Sequence, residues 1–249
     1  MNEDTCLVAG AWSGASNAVP SLVAVAGGPW IVAVSDGIGG HHAGEEASRA
    51  VVETLAACPR VTPAGVRDAL RLLNRELCER GRRDPACQGM GATVAGVACG
   101  AKGPFAFNVG DSRVYQVERG RLAQITRDDS EAEELIEMGL LSRDDAIRPG
   151  YLHALTQAIG GRIEHVQIEV HTHALKITER SRFLVCSDGL TDMVGRTMLE
   201  EIMAAGRAAE VTVEALFSLA MDAGGLDNIT LAVLDVEPHP RSRPGSARS

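Results

Sequence analysis

The stretch from Trp30 to Ser48 constrains this chain more than any other. It reads Trp-Ile-Val-Ala-Val-Ser-Asp-Gly-Ile-Gly-Gly-His-His-Ala-Gly-Glu-Glu-Ala-Ser. An apolar run of strand length ends in Ser35-Asp36-Gly37, crosses a glycine-rich turn and enters a helix. The carboxylate of Asp36 therefore stands just beyond a strand end, where the backbone is pinned. Gly37, lacking a Cβ, brings its own carbonyl close to whatever Asp36 binds. Taken alone, Asp-Gly is a common turn with no chemistry attached. The rest of the chain repeats the pattern.

Asp188 follows the apolar run Phe183–Cys186, and Asp111 follows Phe105–Val109 through Gly110. Asp227 precedes a run that begins near Ile229. In antiparallel sheets the end of one strand lies beside the start of its neighbour, so these aspartates can share one edge. Without a cation that gathering is unfavourable, because like charges in a partly dry cleft repel. All-oxygen ligation selects magnesium or manganese. Zinc is not expected, for there is neither a His-Glu-x-x-His nor a Cys/His cluster. Two such ions about 3.5–4 Å apart clamp a water, lower its pKa and aim it at phosphorus. The competing reading is a set of unrelated turn aspartates.

With 249 residues the chain is long enough for one large domain, and no repeat or second boundary appears. Hydrophobic residues make up 45% but aromatics only 3%, so aliphatic side chains must fill the core. A net charge of -9 argues against a nucleic-acid partner. Six scattered cysteines without a C-x-x-C pair read as reduced thiols of a cytoplasmic protein. No membrane span is expected, because Gly27-Gly28-Pro29 cuts the apolar Leu22–Val34 stretch and reads as a hairpin turn.

The pattern predicts strands at Cys6–Gly10, Ser21–Ala26 and Trp30–Ser35, then helices at Ala43–Ala57 and from Pro63 to about Gly81. Strands follow at Ala92–Ala98, Pro104–Val109, Arg113–Val117 and Leu122–Thr126. An insert over Arg127–Gly161, with helices at Ser130–Met138 and Asp144–Ile147, reads as a flap. Strands at His165–His171 and Phe183–Ser187, helices at Met198–Ala205 and Val211–Ala223 and a strand at Ile229–Val236 complete the domain, residues 1–236. The polar, basic tail 237–249 reads as disordered. The class is α+β, with layers of antiparallel sheet and helices packed outside.

Seven motifs, in order, carry a resemblance. Asp36-Gly37-Ile38-Gly39-Gly40-His41 with Gly44-Glu45 and Ala47-Ser48 resembles the D-G-M-G-G-H-x-x-G-E-x-A-S motif of bacterial PP2C-type (PPM) protein phosphatases. Asn2-Glu3-Asp4, Gly89-Met90-Gly91-Ala92-Thr93, Gly110-Asp111-Ser112-Arg113 and Leu155-Thr156-Gln157-Ala158-Ile159-Gly160 continue the match. Ser187-Asp188-Gly189-Leu190-Thr191-Asp192 and Asp227-Asn228-Ile229-Thr230 complete it. The resemblance implies a four-layer α/β/β/α sandwich and Mg²⁺- or Mn²⁺-dependent hydrolysis of phosphoserine and phosphothreonine by a metal-bridging water. By the match, Asp36 bridges two metals, the Gly37 carbonyl binds one, and Asp188 and Asp227 bind the other. Asp111 helps hold a third ion, and Glu3 holds a metal-bound water from behind, with Asp4 beside it. Asp192 is expected to cap the turn after Asp188.

The same resemblance implies phosphoprotein substrates and an opposing serine/threonine kinase. The alternative is a non-catalytic, pseudophosphatase-like module on the same fold. A small-molecule phosphomonoesterase is a third reading. Ile38 stands where eukaryotic relatives carry a histidine thought to act as general acid, which leaves His41, His42 or water for that task. His171 and His173 alternate along a strand and read as solvated. Two motifs depart from the family: T-x-D-H-S reads Thr126-Arg127-Asp128-Asp129-Ser130, and H-P-x-R-N reads Arg148-Pro149-Gly150-Tyr151-Leu152. The family's phosphate-binding arginine would fall before Met1, so the reading expects a native chain that extends upstream with a further strand.

Overall fold

A computed structural model describes residues 2–14, 20–25, 27–39, 42–142, 154–162, 165–177 and 179–238. The short helix expected at Asp144–Ile147, the Arg148–Leu152 motif, His41 and tail residues 239–249 lie outside the described residues, as does the side chain of His42.

Two antiparallel sheets form the centre. One holds β1 (Thr5–Val8), β2 (Ala11–Ser13), β3 (Trp30–Ser35), β6 (Val94–Gly100), β7 (Gly103–Val109) and β11 (His171–Ala174), in the order β11-β7-β6-β3-β1-β2. The other holds β8 (Arg113–Glu118), β9 (Arg121–Gln124), β12 (Ser181–Cys186) and β13 (Leu231–Val236), in the order β13-β12-β8-β9. A small ribbon of β4 (Gly37–Ile38), β5 (Gly91–Ala92) and β10 (Ile159–Gly160) lies beyond the end of β3.

Strand side chains alternate between faces, and the core divides accordingly. Leu7, Ile31, Ala33, Phe105 and Phe107 face helices α1 (His42–Ala56) and α2 (Pro63–Arg83), meeting Val51, Leu55, Val66 and Leu70. Val34, Val97, Ala106, Val114, Phe183 and Val185 fill the layer between the sheets. Tyr115, Leu184 and Cys186 point the other way, onto α4 (Asp188–Thr191), α5 (Arg196–Ala204) and α6 (Ala209–Asp222), where Leu190, Leu199, Met203 and Leu216 cover them. Three apolar interfaces between four layers make the α/β/β/α sandwich. A further helix, α3 (Glu131–Glu137), lies in the insert, where the Ser130 side chain caps it by accepting the Glu133 N–H.

Three expectations need correction. Ser21–Val25 forms no strand, and no hairpin joins it to β3. Both edges of β3 are already taken, by β1 and β6, so the second strand of the expected hairpin has no ladder to join. β2 pairs with β1 instead. His165–Val170 is not a strand; the ladder on β7 starts at His171. Side chains of α2 satisfy that segment's carbonyls, with Arg71 donating to Ile168 O and Asn74 to Val166 O. Finally, α2 runs through Gly81 to Arg83. Its stop is Asp84, whose N–H reaches Arg80 O, followed by Pro85, which cannot continue the helix.

Candidate metal centre

Asp36 follows β3 and is held by its main chain. Thr93 N–H donates to Asp36 O at 2.9 Å, and Ser35 Oγ donates to Thr93 O at 2.7 Å. Thr93 and Ser112 hydroxyls bond each other at 2.7 Å, which ties the β3 end to the turn that carries Asp111. Gly37 sits where no larger residue fits: an added Cβ would stand 2.2 Å from Gly44 O and 2.8 Å from Glu3 O. The Gly37 backbone therefore packs directly against the first turn of α1 and the segment leading into β1.

The carboxylates of Asp4 and Asp188 lie beside that of Asp36, near enough for their charges to act on it. Burial first, then the charges of Asp4 and Asp188, push its pKa far above the usual carboxylate range. Asp4 is buried and its pKa is raised, again by burial before any charge, although Ser187 Oγ donates to its Oδ2 at 2.9 Å. Asp188 opens α4; burial, then Asp192 and Asp227, raise its pKa. Asp111 is buried, and desolvation followed by Asp188 and Asp128 pushes it up against the opposing pull of Arg113. Asp227 is exposed and accepts from the Asn228 N–H at 2.7 Å. The side chain of Asn228 in turn accepts the Glu3 N–H at 2.7 Å. The Glu3 carboxylate lies against Gly44 in α1, close enough that a Cβ on that glycine would collide with it.

The fold thus brings Asp36, Asp188, Asp111 and Asp227 to one end of the sandwich. It does so pairwise around Asp36 and Asp188. Among the described residues, no group of three His, Cys, Asp or Glu side chains is arranged as a finished cation cage. The donor set nevertheless fits a hard divalent cation. It is all oxygen, and both Asp4 Oδ1 and Asp188 Oδ1 are buried without a hydrogen-bond partner. Carboxylates driven toward their neutral forms by burial and then by one another are stabilised by a nearby positive charge.

A family model described as Protein phosphatase 2C matches residues 21–215. The chain belongs to the protein phosphatase 2C family. Among its relatives, the serine/threonine phosphatase Stp of Listeria monocytogenes is 32% identical over 225 residues, covering 87% of this chain and 88% of that one. The solved serine/threonine phosphatase PstP of Mycobacterium tuberculosis superposes with a TM-score of 0.76 at 29% identity, covering 96% of this chain and 93% of its own. The PstP catalytic domain in complex with 2 manganese ions gives a TM-score of 0.69 at 29% identity, with the same coverage of both chains. Membership in the protein phosphatase 2C family carries divalent-metal dependence with it.

The sequence places Asp4 only as a neighbour of Glu3. Its position as an acid near the chain start carries no periodic signal; only the fold brings Ser187 onto it and buries it. Asp192 stands at the end of α4, its N–H on Asp188 O at 2.8 Å, as a cap of that turn.

Proposed function

We propose that this protein is a metal-dependent phosphatase of phosphoserine and phosphothreonine proteins, and that residues 1–236 are its catalytic domain. The observation that carries the reading is the gathering of Asp36, Asp4 and Asp188 at the end of β3, with Asp4 Oδ1 and Asp188 Oδ1 buried and unpartnered, an arrangement that is costly until cations neutralise it. Asp36 would bridge two cations, the Gly37 carbonyl would serve one, and Asp188 and Asp227 the other. Asp111 would hold a third, weaker one, and Glu3 would orient water from its place against Gly44. Manganese or magnesium suits the all-oxygen donors, and the manganese-bound PstP relative favours manganese. Such cations supply Lewis-acid polarisation of phosphoryl oxygens and a nucleophilic water at neutral pH.

The chain's own contribution is position. Thr93, Ser35 and Ser112 lock the Asp36 backbone, and Ser187 orients Asp4. Asp36 and Asp4 are thus set before a cation arrives, which spares reorganisation at the moment of reaction. The partners would be phosphoproteins whose phosphate is placed by an opposing serine/threonine kinase, in the cytoplasm. Among the described residues no helix is long and apolar enough to cross a membrane. Hydrolysis of a phosphothreonine peptide with and without Mn²⁺, with Asp36→Asn as control, tests the reading. Metal-independent turnover, or normal turnover by the variant, defeats it.

A further inference from the structure

Where the family motif has histidine, this chain has Asp129, and the structure makes that residue a buried, many-bonded acid outside the Asp36 group. Asp129 is 3% exposed. Its Oδ2 accepts the Gly110 N–H at 2.8 Å and the Gln157 amide at 2.7 Å. Its Oδ1 meets His171 Nε2 at 2.9 Å. Its backbone N–H donates to Gly110 O at 3.0 Å, and its carbonyl accepts the Thr156 N–H at 2.9 Å.

Gly110 is thus held at both main-chain groups by one residue, and its carbonyl also accepts from Asn108 Nδ2 at 3.2 Å. It has a φ of 93°, a left-handed conformation, and an added Cβ would lie 2.7 Å from Thr93. A residue fixed this tightly fixes the one after it, which is Asp111. Thr156 and Gln157 belong to the returning arm of the insert, whose outgoing arm is Asp129's own segment; Ser130 and Leu155 bridge the two. His171 comes from β11, directly opposite Asn108 in the ladder.

We propose that Asp129 is a positioning residue that joins the Gly110–Asp111 turn and both arms of the insert into one unit, so that cation affinity at Asp111 depends on the insert's attachment. The proposal rests on the reading of Asp111 as ligand of a weaker cation. It assigns a role to Asp129, Gln157 and His171 that their sequence positions do not reveal.

Calorimetric titration of Mn²⁺ into the full chain tests it, with melting temperatures recorded alongside. In Asp129→Ala, the weaker Mn²⁺ phase should lose at least about tenfold in affinity while the tighter phase is unchanged. The Mn²⁺ concentration for half-maximal hydrolysis should rise in parallel. Asp129→Asn keeps an oxygen for the Gly110 N–H and should recover to within about threefold of wild type. A wild-type isotherm in Asp129→Ala, or an equal weakening of every phase together with a lower melting temperature, overturns the proposal and leaves the cluster a prop of the fold. Should that variant fail to fold, His171→Ala decides: a loss of about threefold or more in the weaker phase supports the proposal, and an unchanged isotherm overturns it. A wild-type chain that binds no Mn²⁺ defeats the metal-centre reading itself, whereas normal wild-type binding without an Asp129 effect defeats this inference alone.

Discussion

At the scale of single residues, the cost of the carboxylate cluster leads to an uncommon expectation. Asp36 is pressed by burial and by two other acids. Replacing it with Asn should therefore stabilise the metal-free protein, by about 1–2 kcal/mol, while abolishing turnover. Thermal melts in EDTA and in Mn²⁺ check this: the variant should melt higher than wild type in EDTA and gain less from Mn²⁺. A second residue-scale expectation concerns Arg182 and Asp235, paired across β12 and β13 by two bonds of 2.8 Å. The hydrogen bonds from Arg182 hold the Asp235 carboxyl below its usual range. A depressed folded-state pKa gives stability that is present above the unfolded value near 3.9 and lost as pH falls through the folded value. Arg182→Gln should thus cost about 1 kcal/mol at pH 7 and progressively less as pH falls below the unfolded value of about 3.9, read from melts across pH. Asp36, Asp188, Asp111 and Asp227 were legible because strand ends can be read from apolar runs. Asp4 was not, since its burial depends on residues more than 180 positions away in sequence, such as Ser187.

Among elements, the junction of β4, α1 and the segment leading into β1 is a close backbone approach in the candidate site. Gly37→Ala would drive a methyl into the Gly44 carbonyl and the Glu3 carbonyl, both main-chain atoms that cannot swing aside. A loss of about 2–3 kcal/mol is expected, together with loss of activity, measured by urea denaturation and by hydrolysis. Helices α1, α2, α3, α5 and α6 were legible in the sequence, α2 from its apolar period and Pro63, whereas the four-residue α4 was not. In the structure Thr62 accepts the Gly65 N–H ahead of Pro63, and Ser130 caps α3. Strand choice was less so. Ser21–Val25 and Thr5–Val8 look alike as apolar runs, and only the filled edges of β3 decide which of them pairs. Likewise Ile168 and Val170 are buried as a strand's would be, yet α2 side chains take carbonyls of their segment. Such competition for hydrogen-bonding edges is tertiary and leaves no mark in local periodicity.

For the molecule as a whole, the scarcity of aromatics places weight on the few present. Phe183 is fully buried between the two sheets among Val34, Val97 and Val114. Phe183→Ala should cost about 3–5 kcal/mol and lower the melting temperature without preference for any metal condition. The four layers exist to hold the ends of β3, β7 and β12 beside the approach to β13, where Asp36, Asp111, Asp188 and Asp227 project. The most direct test of that account is the rate of phosphate release from a phosphothreonine peptide by the full chain, with Mn²⁺ and with EDTA, for wild type and for Asp36→Asn. The account predicts turnover for wild type with Mn²⁺ and a fall of at least about a thousandfold in EDTA or in the variant, about 4 kcal/mol of transition-state stabilisation. Wild-type rates in Asp36→Asn under Mn²⁺ would contradict it.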